Sequence, residues 1–143
     1  MPRMIFVNLP VTDVARSTAF YEAVGATRDE RFCDGSAAMV TFSETIHAML
    51  IGHDRFRDFT PKAIADARTT SEVLLCLSAE DRDDVDATVG RAGAAGGTLD
   101  PCPRQDHGFM YGRSFEDPDG HIWEVMWMDL DAAMAARGDM AAA

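Results

Sequence analysis

The sequence has 143 residues, 47% of them hydrophobic, which suits one globular domain with its own core. Its formal net charge of −11 disfavours binding to nucleic acid or to anionic membranes, because both require a basic surface. No apolar run approaches the roughly 20 residues of a membrane span, and the N-terminus lacks the features of a signal peptide, so we expect a cytoplasmic protein without nucleic-acid or membrane partners.

Residues 4–52 have the pattern of a strand, a helix and three further strands. An apolar strand at residues 4–9 precedes Asp13, a typical N-cap residue, and Gly25 marks the end of the helix. Three short strands are predicted near residues 27–33, 37–43 and 46–51.

A longer connection follows at residues 53–70. Thr60 followed by Pro61 is typical of a helix start, which predicts a short helix that ends near Ala67.

The same order of elements returns in residues 71–128. A buried strand over residues 71–77 leads to a capping-box pattern at Ser78–Asp81 and a helix that closes at Gly93. Three strands are predicted near residues 98–101, 108–115 and 121–128. The expected fold is therefore α+β: a single domain in residues 1–130, with two β-α-β-β-β modules whose curved sheets enclose a cleft. Residues 131–143 are expected to form a loose tail, either helical or disordered.

Two segments carry a resemblance to a known family. The run from Val7 to Asp13, followed by Ser17 to Tyr21, resembles the first strand and helix of the glyoxalase/bleomycin-resistance/extradiol-dioxygenase (vicinal-oxygen-chelate) superfamily, and Phe115–Glu124 resembles its last hairpin. The segment from Phe109 to Trp127 also resembles the subgroup labelled "predicted lactoylglutathione lyase". The resemblance covers about residues 4–128 and implies a glyoxalase-like fold, a small-molecule ligand and a homodimer.

The resemblance also implies where a metal would bind. Metal-dependent members of the superfamily place ligands at four strand positions, two in each half. These positions fall on Phe6 and Leu50 in the first half, or on Ile51 if the register is one residue off, and on Glu72 and Glu124 in the second. Since Phe6 and Leu50 supply no lone pair, we expect no cofactor and no tightly held ion. A divalent metal on Glu72 and Glu124 stays open as the alternative.

Glu72 and Glu124 are also the candidate catalytic residues. Each is a lone carboxylate in an otherwise apolar strand, and burying a carboxylate is costly unless it is paired or protonated. Two carboxylates close together in an apolar cleft would raise the pKa of one of them and suit it to act as a general base. The alternative is that each pairs with an arginine such as Arg113 and has only a structural role.

The remaining candidates are substrate-binding residues. Tyr111 and Arg113 alternate onto one strand face, where they would orient a substrate oxygen and hold an anion. The structural alternative is a satisfied core tyrosine and an ion pair from Arg113 to Glu116 or Asp117. Phe6 and Leu50 are expected to line the cleft opposite the two glutamates, and Asn8, which shares a face with Phe6, would offer it an amide. Trp123 would supply aromatic surface, and His121 is expected to face away from the cleft. His47 and His53 have no other candidate site residues near them in the sequence.

Three functions follow as hypotheses. The first is a glyoxalase-like lyase or isomerase in which Glu124 or Glu72 abstracts a proton beside a carbonyl. The second is a metal-free protein of bleomycin-resistance type that binds a cationic drug, which the acidic charge and the aromatic residues favour. The third is an extradiol dioxygenase, which requires two histidines and one carboxylate on iron.

Overall fold

A computed structural model describes the backbone of residues 2–142 and the side chains of residues 2–138, so Met1 and Ala143 lie outside the described residues. Its strands are β1 (Ile5–Val11), β2 (Thr27–Asp29), β3 (Ala37–Thr41), β4 (Ile46–Gly52), β5 (Leu75–Ser78), β6 (Thr98–Leu99), β7 (Gln105–Asp106), β8 (Met110–Glu116) and β9 (Ile122–Met128). Its α-helices are α1 (Val14–Val24), α2 (His53–Phe56), α3 (Arg82–Ala94) and α4 (Leu130–Ala142).

The strands form two mixed sheets, one in each half of the chain. The first sheet has the order β1-β4-β3-β2, and the second has the order β5-β9-β8-β6, with β7 also paired to β8. In each half the first strand runs parallel to the last one, β1 beside β4 and β5 beside β9, while the other pairs are antiparallel. The predicted fold of two β-α-β-β-β modules is therefore confirmed.

Each module begins its helix with an aspartate cap. Asp13 accepts a hydrogen bond of 3.0 Å from the backbone N–H of Arg16 at the start of α1. Asp81 accepts one of 2.7 Å from the backbone N–H of Asp84 at the start of α3. These bonds satisfy N–H groups that have no partner within the helix.

One face of each sheet packs against the helices, and the two helix-facing sides share a single core. Phe20 and Tyr21 of α1 contact the second half, because Phe20 lies 5.9 Å from Phe115 and Tyr21 lies 5.9 Å from Trp123, measured between ring centroids. All four rings are almost completely buried. The other side of each sheet, called the outward face below, therefore points away from this core.

A buried hydrogen-bond relay also joins the two halves. The Tyr21 hydroxyl donates to the Asp117 carboxylate at 2.6 Å and accepts from the indole N–H of Trp123 at 2.9 Å. Asp117 further accepts the backbone N–H groups of Asp119 and His121. Burial raises the pKa of Asp117 and raises that of Tyr21 well above its usual value.

Two further contacts connect β1 to the turn before β9. Asp119 accepts hydrogen bonds of 2.9 and 2.8 Å from the backbone N–H and the hydroxyl of Thr12. The His121 ring nitrogen Nε2 lies 2.7 Å from the carbonyl oxygen of Pro10. A carbonyl oxygen only accepts, so Nε2 carries the proton in this bond.

The connection between the halves differs from the expectation. The helix predicted from Thr60 to Ala67 is absent, and the short helix α2 lies earlier, at His53–Phe56. Residues 63–67 instead pass along the surface of both halves, where the backbone at Ala67 and Arg68 meets Gly120. A Cβ atom at position 120 would lie 2.8 Å from the Arg68 nitrogen, and the φ of Gly120 is +95°, so only glycine fits there.

The C-terminal segment forms a helix, α4, which was one of the two expected alternatives. Its side chains Leu130 and Met134 are 70% and 64% exposed, so they contribute little to the core. Among residues 2–142, none of the helices is both long enough and apolar enough to cross a membrane.

We expect the relay to contribute more stability than its hydrogen-bond count suggests. Tyr21→Phe would leave a buried indole N–H and a buried carboxylate oxygen without partners, which should lower the free energy of unfolding by about 2–3 kcal/mol. The matched control is Tyr111→Phe, because Asp86 keeps its bond to Arg113; a loss below about 1 kcal/mol is expected there. Urea unfolding measures both, and equal losses would contradict a special role for the relay.

Candidate functional site

The pairing of β5, β9 and β8 places a mixed set of side chains on the outward face of the second sheet. Opposite residues of paired strands share a side, and here Glu124 is flanked by Cys76 and Ser114, while Ile122 lies opposite Glu116. This surface, called the acidic face below, comprises Cys76, Met110, Glu116, Ile122, Glu124, Met126 and Met128.

Two carboxylates on the acidic face are unpaired. Glu116 and Glu124 are diagonal neighbours on adjacent strands, a relation that puts their Cα atoms about 7–8 Å apart. Both are half-buried, and neither forms an ion pair within the described residues. Burial, and then the negative charge of Glu124, raise the pKa of the Cys76 thiol, so this carboxylate acts electrostatically across the face. The arginine partner considered from the sequence is absent for Glu124.

Phe6 lies on the outward face of the first sheet, where it forms an aromatic stack that the sequence did not indicate. Its ring is 48% exposed and stacks on His47, with centroids 4.8 Å apart and planes inclined by 14°. His47 is held by Thr41 at 2.9 Å and by the carbonyl oxygen of Glu44 at 3.3 Å. The stack follows from the parallel register of β1 and β4, which places Phe6 beside His47.

The assignment of Leu50 to the cleft is wrong. Leu50 is fully buried in the shared core, together with Ala48 two residues earlier. Side chains alternate along a strand, so the neighbouring Ile51 takes the outward side, paired with Pro10 of β1.

Tyr111 and Arg113 do not lie on the outward face with Glu124, where substrate binding was expected. Both lie on the helix-facing side of β8, where Tyr111 donates to Asp86 at 2.6 Å and Arg113 donates to Asp86 at 3.0 Å. Arg113 also makes a bidentate contact with Asp100, at 3.0 and 2.8 Å. The hydrogen bond from Tyr111 lowers the pKa of Asp86, and that from Arg113 lowers the pKa of Asp100. Both side chains therefore make the structural contacts that were the alternative to substrate binding. Their partners are Asp86 and Asp100, whereas the sequence suggested Glu116 or Asp117 for Arg113.

Trp123 does not line a ligand site either. It is 2% exposed on the helix-facing side of β9 and donates its indole N–H to Tyr21. The alternation that turns Glu124 outward turns Trp123 into the core.

A groove of about 400 Å³ runs along the seam between the two halves and is called the seam groove below. Asn8 of β1 lines it, as do Lys62 and Glu72 of the connection and His121 and Ile122 of the second half. Asn8 is thus placed at a concave surface, as expected, whereas His121 was expected to face away.

Glu72 differs from its predicted position. It is exposed and lies before β5, which begins at Leu75, so it is not a strand residue. It lines the seam groove, whereas Glu124 belongs to the acidic face. The two carboxylates expected to share one cleft therefore belong to two different surfaces.

The donor atoms do not fit a divalent metal. Within the described residues, no three side chains among His, Cys, Asp and Glu come together in a way that would hold an ion. At the outward positions of the first sheet, Phe6 and Ile51 supply no lone pair.

The superfamily of the chain follows from its match to a family model. Residues 3–125 match the family model described as the Glyoxalase/Bleomycin resistance protein/Dioxygenase superfamily. The chain belongs to this superfamily. No curated protein matches the chain in sequence.

Several solved structures share the fold of this chain. Hypothetical protein SA1046 from S. aureus superposes with a TM-score of 0.74 at 23% identity, over 89% of this chain and 94% of that one. A superfamily enzyme from Burkholderia phytofirmans PsJN gives 0.71 at 19% identity, over 90% and 100% of the two chains. The fosfomycin resistance protein FosX from Listeria monocytogenes gives 0.65 at 16% identity, over 90% and 93%. At these identities the likeness establishes the fold alone.

Arg113 should be important for stability rather than for ligand binding. Its side chain is 10% exposed, and Arg113→Met would remove three charge-assisted hydrogen bonds, which should lower the free energy of unfolding by about 1–3 kcal/mol. The control is Arg57→Met, since Arg57 pairs with Asp54 at the surface; a change within about 0.5 kcal/mol is expected.

Arg113→Met should also alter the dependence of stability on acid pH. Arg113 holds the pKa of Asp100 below its usual 3.8. The pairing of Arg113 with Asp100 therefore stabilises the fold fully above that pH, and this stabilisation is lost as the pH falls through the folded-state pKa. The difference in free energy of unfolding between wild type and Arg113→Met should therefore be largest at pH 6 and should become smaller below about pH 4. Urea titrations from pH 2.5 to 7 measure it, and a gap independent of pH would contradict the assignment.

Proposed function

We propose that this protein binds a small cationic molecule that also has an apolar part. This is the function expected of a metal-free protein of bleomycin-resistance type. The observation that carries the proposal is the pair Glu116 and Glu124, two half-buried carboxylates on one sheet face that have no cationic partner among the described residues. A carboxylate removed from water is stabilised by a positive charge, which a ligand would supply.

The surroundings of these carboxylates suit the rest of such a ligand. Met110 lies opposite Met128, Met126 follows on the same side, and Ile122 lies beside Glu116. Thioethers are polarizable and pack well against aromatic rings. The net charge of −11 would also attract a cation at long range and weaken its binding as salt is added.

A glyoxalase-like lyase, including the lactoylglutathione lyase subgroup, is the second candidate. It is favoured by the free carboxylate of Glu124, which is the group that would abstract a proton next to a carbonyl. The groups expected to stabilise the resulting enediolate are missing from this surface, because Tyr111 and Arg113 bond to Asp86 and Asp100 on the other side of the sheet. An extradiol dioxygenase is the weakest candidate, since no two histidines and carboxylate converge within the described residues.

Calorimetric titration with an aromatic cation tests the proposal. Proflavine and metal-free bleomycin are the cationic probes, and fluorescein, which also has three fused rings, is the anionic control. Glu116→Gln with Glu124→Gln should weaken cation binding at least about tenfold, because both counter-charges are removed. Glu22→Gln with Glu80→Gln, two exposed changes that remove the same total charge, should leave it unchanged.

Two results would overturn this assignment. If fluorescein bound as tightly as proflavine, or if the double variant bound cations normally, the acidic face would not be the site. If the wild type isomerised the hemithioacetal of methylglyoxal and glutathione, and Glu124→Gln abolished that turnover, the lyase would be the function instead.

We also propose that the protein forms a homodimer. Ile5 and Phe6 are 56% and 48% exposed at the start of β1, and Phe59 of the connection is 61% exposed, so apolar surface remains for a second copy to cover. Phe56, in contrast, lines the seam groove.

Light scattering at micromolar concentration should give the mass of a dimer. Phe59→Asp should shift the mass toward a monomer, because a charge would have to be buried on association. Leu130→Asp on α4 is the control, and it should leave the mass unchanged. A wild-type monomer at 50 μM would contradict the proposal.

A further inference from the structure

The seam groove contains the sole lysine of the chain. Lys62 is the one lysine among 143 residues, in a sequence with 24 acidic residues, and it lies in the lining of this groove. Among the described residues it forms no ion pair, although acidic side chains are abundant. An ammonium group left without a protein counter-ion at a concave surface suits an anionic group of a ligand.

A carboxylate of opposite charge lines the same groove. Glu72 also forms no ion pair among the described residues, so it lies more than 4.0 Å from the Lys62 ammonium. The groove thus presents one positive and one negative group that do not neutralise each other.

The rest of the groove is largely apolar. Its apolar lining includes Phe56, Ile64, Val73, Leu75 and Ile122. Asn8 adds one amide, and His121 at the rim is fixed by its bond to the carbonyl oxygen of Pro10. The volume of about 400 Å³ lies within the range of roughly 300–1,000 Å³ that small-molecule sites occupy.

We propose that the seam groove binds a small apolar zwitterion, such as a free aliphatic amino acid. The ligand carboxylate would pair with Lys62, its ammonium group with Glu72, and its side chain would cover the apolar lining. Two opposite charges on one small molecule match two opposite charges on the groove, whereas a simple cation or anion would satisfy only one of them. Apart from Ile122, which belongs to both surfaces, this site uses no residue of the acidic face, and its two charged groups are independent of the function proposed there.

Three probes separate the two charges. L-Leucine carries both charges, leucinamide lacks the carboxylate, and N-acetyl-leucine lacks the ammonium group. Titration followed by NMR of the protein amides should show that leucine binds to the wild type, and that each derivative binds about tenfold more weakly or worse.

Matched variants assign each charge to a side chain. In Lys62→Met, leucine should bind no better than leucinamide; in Glu72→Gln, it should bind no better than N-acetyl-leucine. Both residues are exposed, so thermal melts should match the wild type. Arg3→Met and Glu80→Gln, exposed changes of the same charge elsewhere, should leave leucine binding unchanged.

Chemical labelling gives a second measurement. Apart from the terminal amine, Lys62 is the one primary amine, so acetylation of an internal peptide reports on it alone, and leucine should slow that acetylation. The proposal is overturned if leucine does not bind at 10 mM, if leucinamide binds equally well, or if Lys62→Met retains full affinity. Glu124→Gln should leave leucine binding intact, so failure here is distinguishable from failure of the cation-binding proposal.

Discussion

The hydrogen-bond relay of Tyr21, Asp117 and Trp123 is the contact on which the arrangement of the two halves depends. It ties α1 of the first module to the β8–β9 turn and strand β9 of the second, and each of its polar groups lies away from water. Buried polar groups are costly when unpaired, so the relay admits one relative placement of the modules. The seam groove exists because that placement brings β1 close to the start of β9 without pairing them.

Local sequence signals predicted the elements well because those signals act over a few residues. Asp13 caps α1 and Gly25 ends it, as expected, and the order of strand, helix and three strands is found in both modules, with the short strand β7 added in the second. The helix expected after Thr60 and Pro61 did not form. Those two residues favour a helix start, but residues 63–67 instead lie against both modules, where Gly120 fits closely under the backbone of Ala67 and Arg68.

The candidate site was harder to predict because the side of a strand that faces a ligand is decided by long-range packing. Alternation correctly grouped Tyr111 with Arg113, but it could not say which side of β8 meets the helices. Glu124 and Trp123 were both expected at the ligand, although they take opposite sides of β9. That choice follows from Asp86 on α3, 27 residues before Arg113, which provides the partner for both Tyr111 and Arg113. The outward role of Glu116 was hidden for the same reason, since its place opposite Ile122 appears only once β8 and β9 are paired.

The chemistry of the acidic face has a consequence for selectivity. Its charged groups and the apolar residues beside them stand on the same two strands, and the apolar part consists largely of the methionines Met110, Met126 and Met128. Methionine and glutamate side chains each have three rotatable bonds, so both the apolar surface and the carboxylates beside it can adjust to ligands of irregular shape. The cation site proposed for this surface would therefore select strictly by the charge of a ligand and only loosely by its outline. One protein would then accept a series of chemically unrelated cations, the behaviour of a general scavenger rather than of a receptor for a single compound.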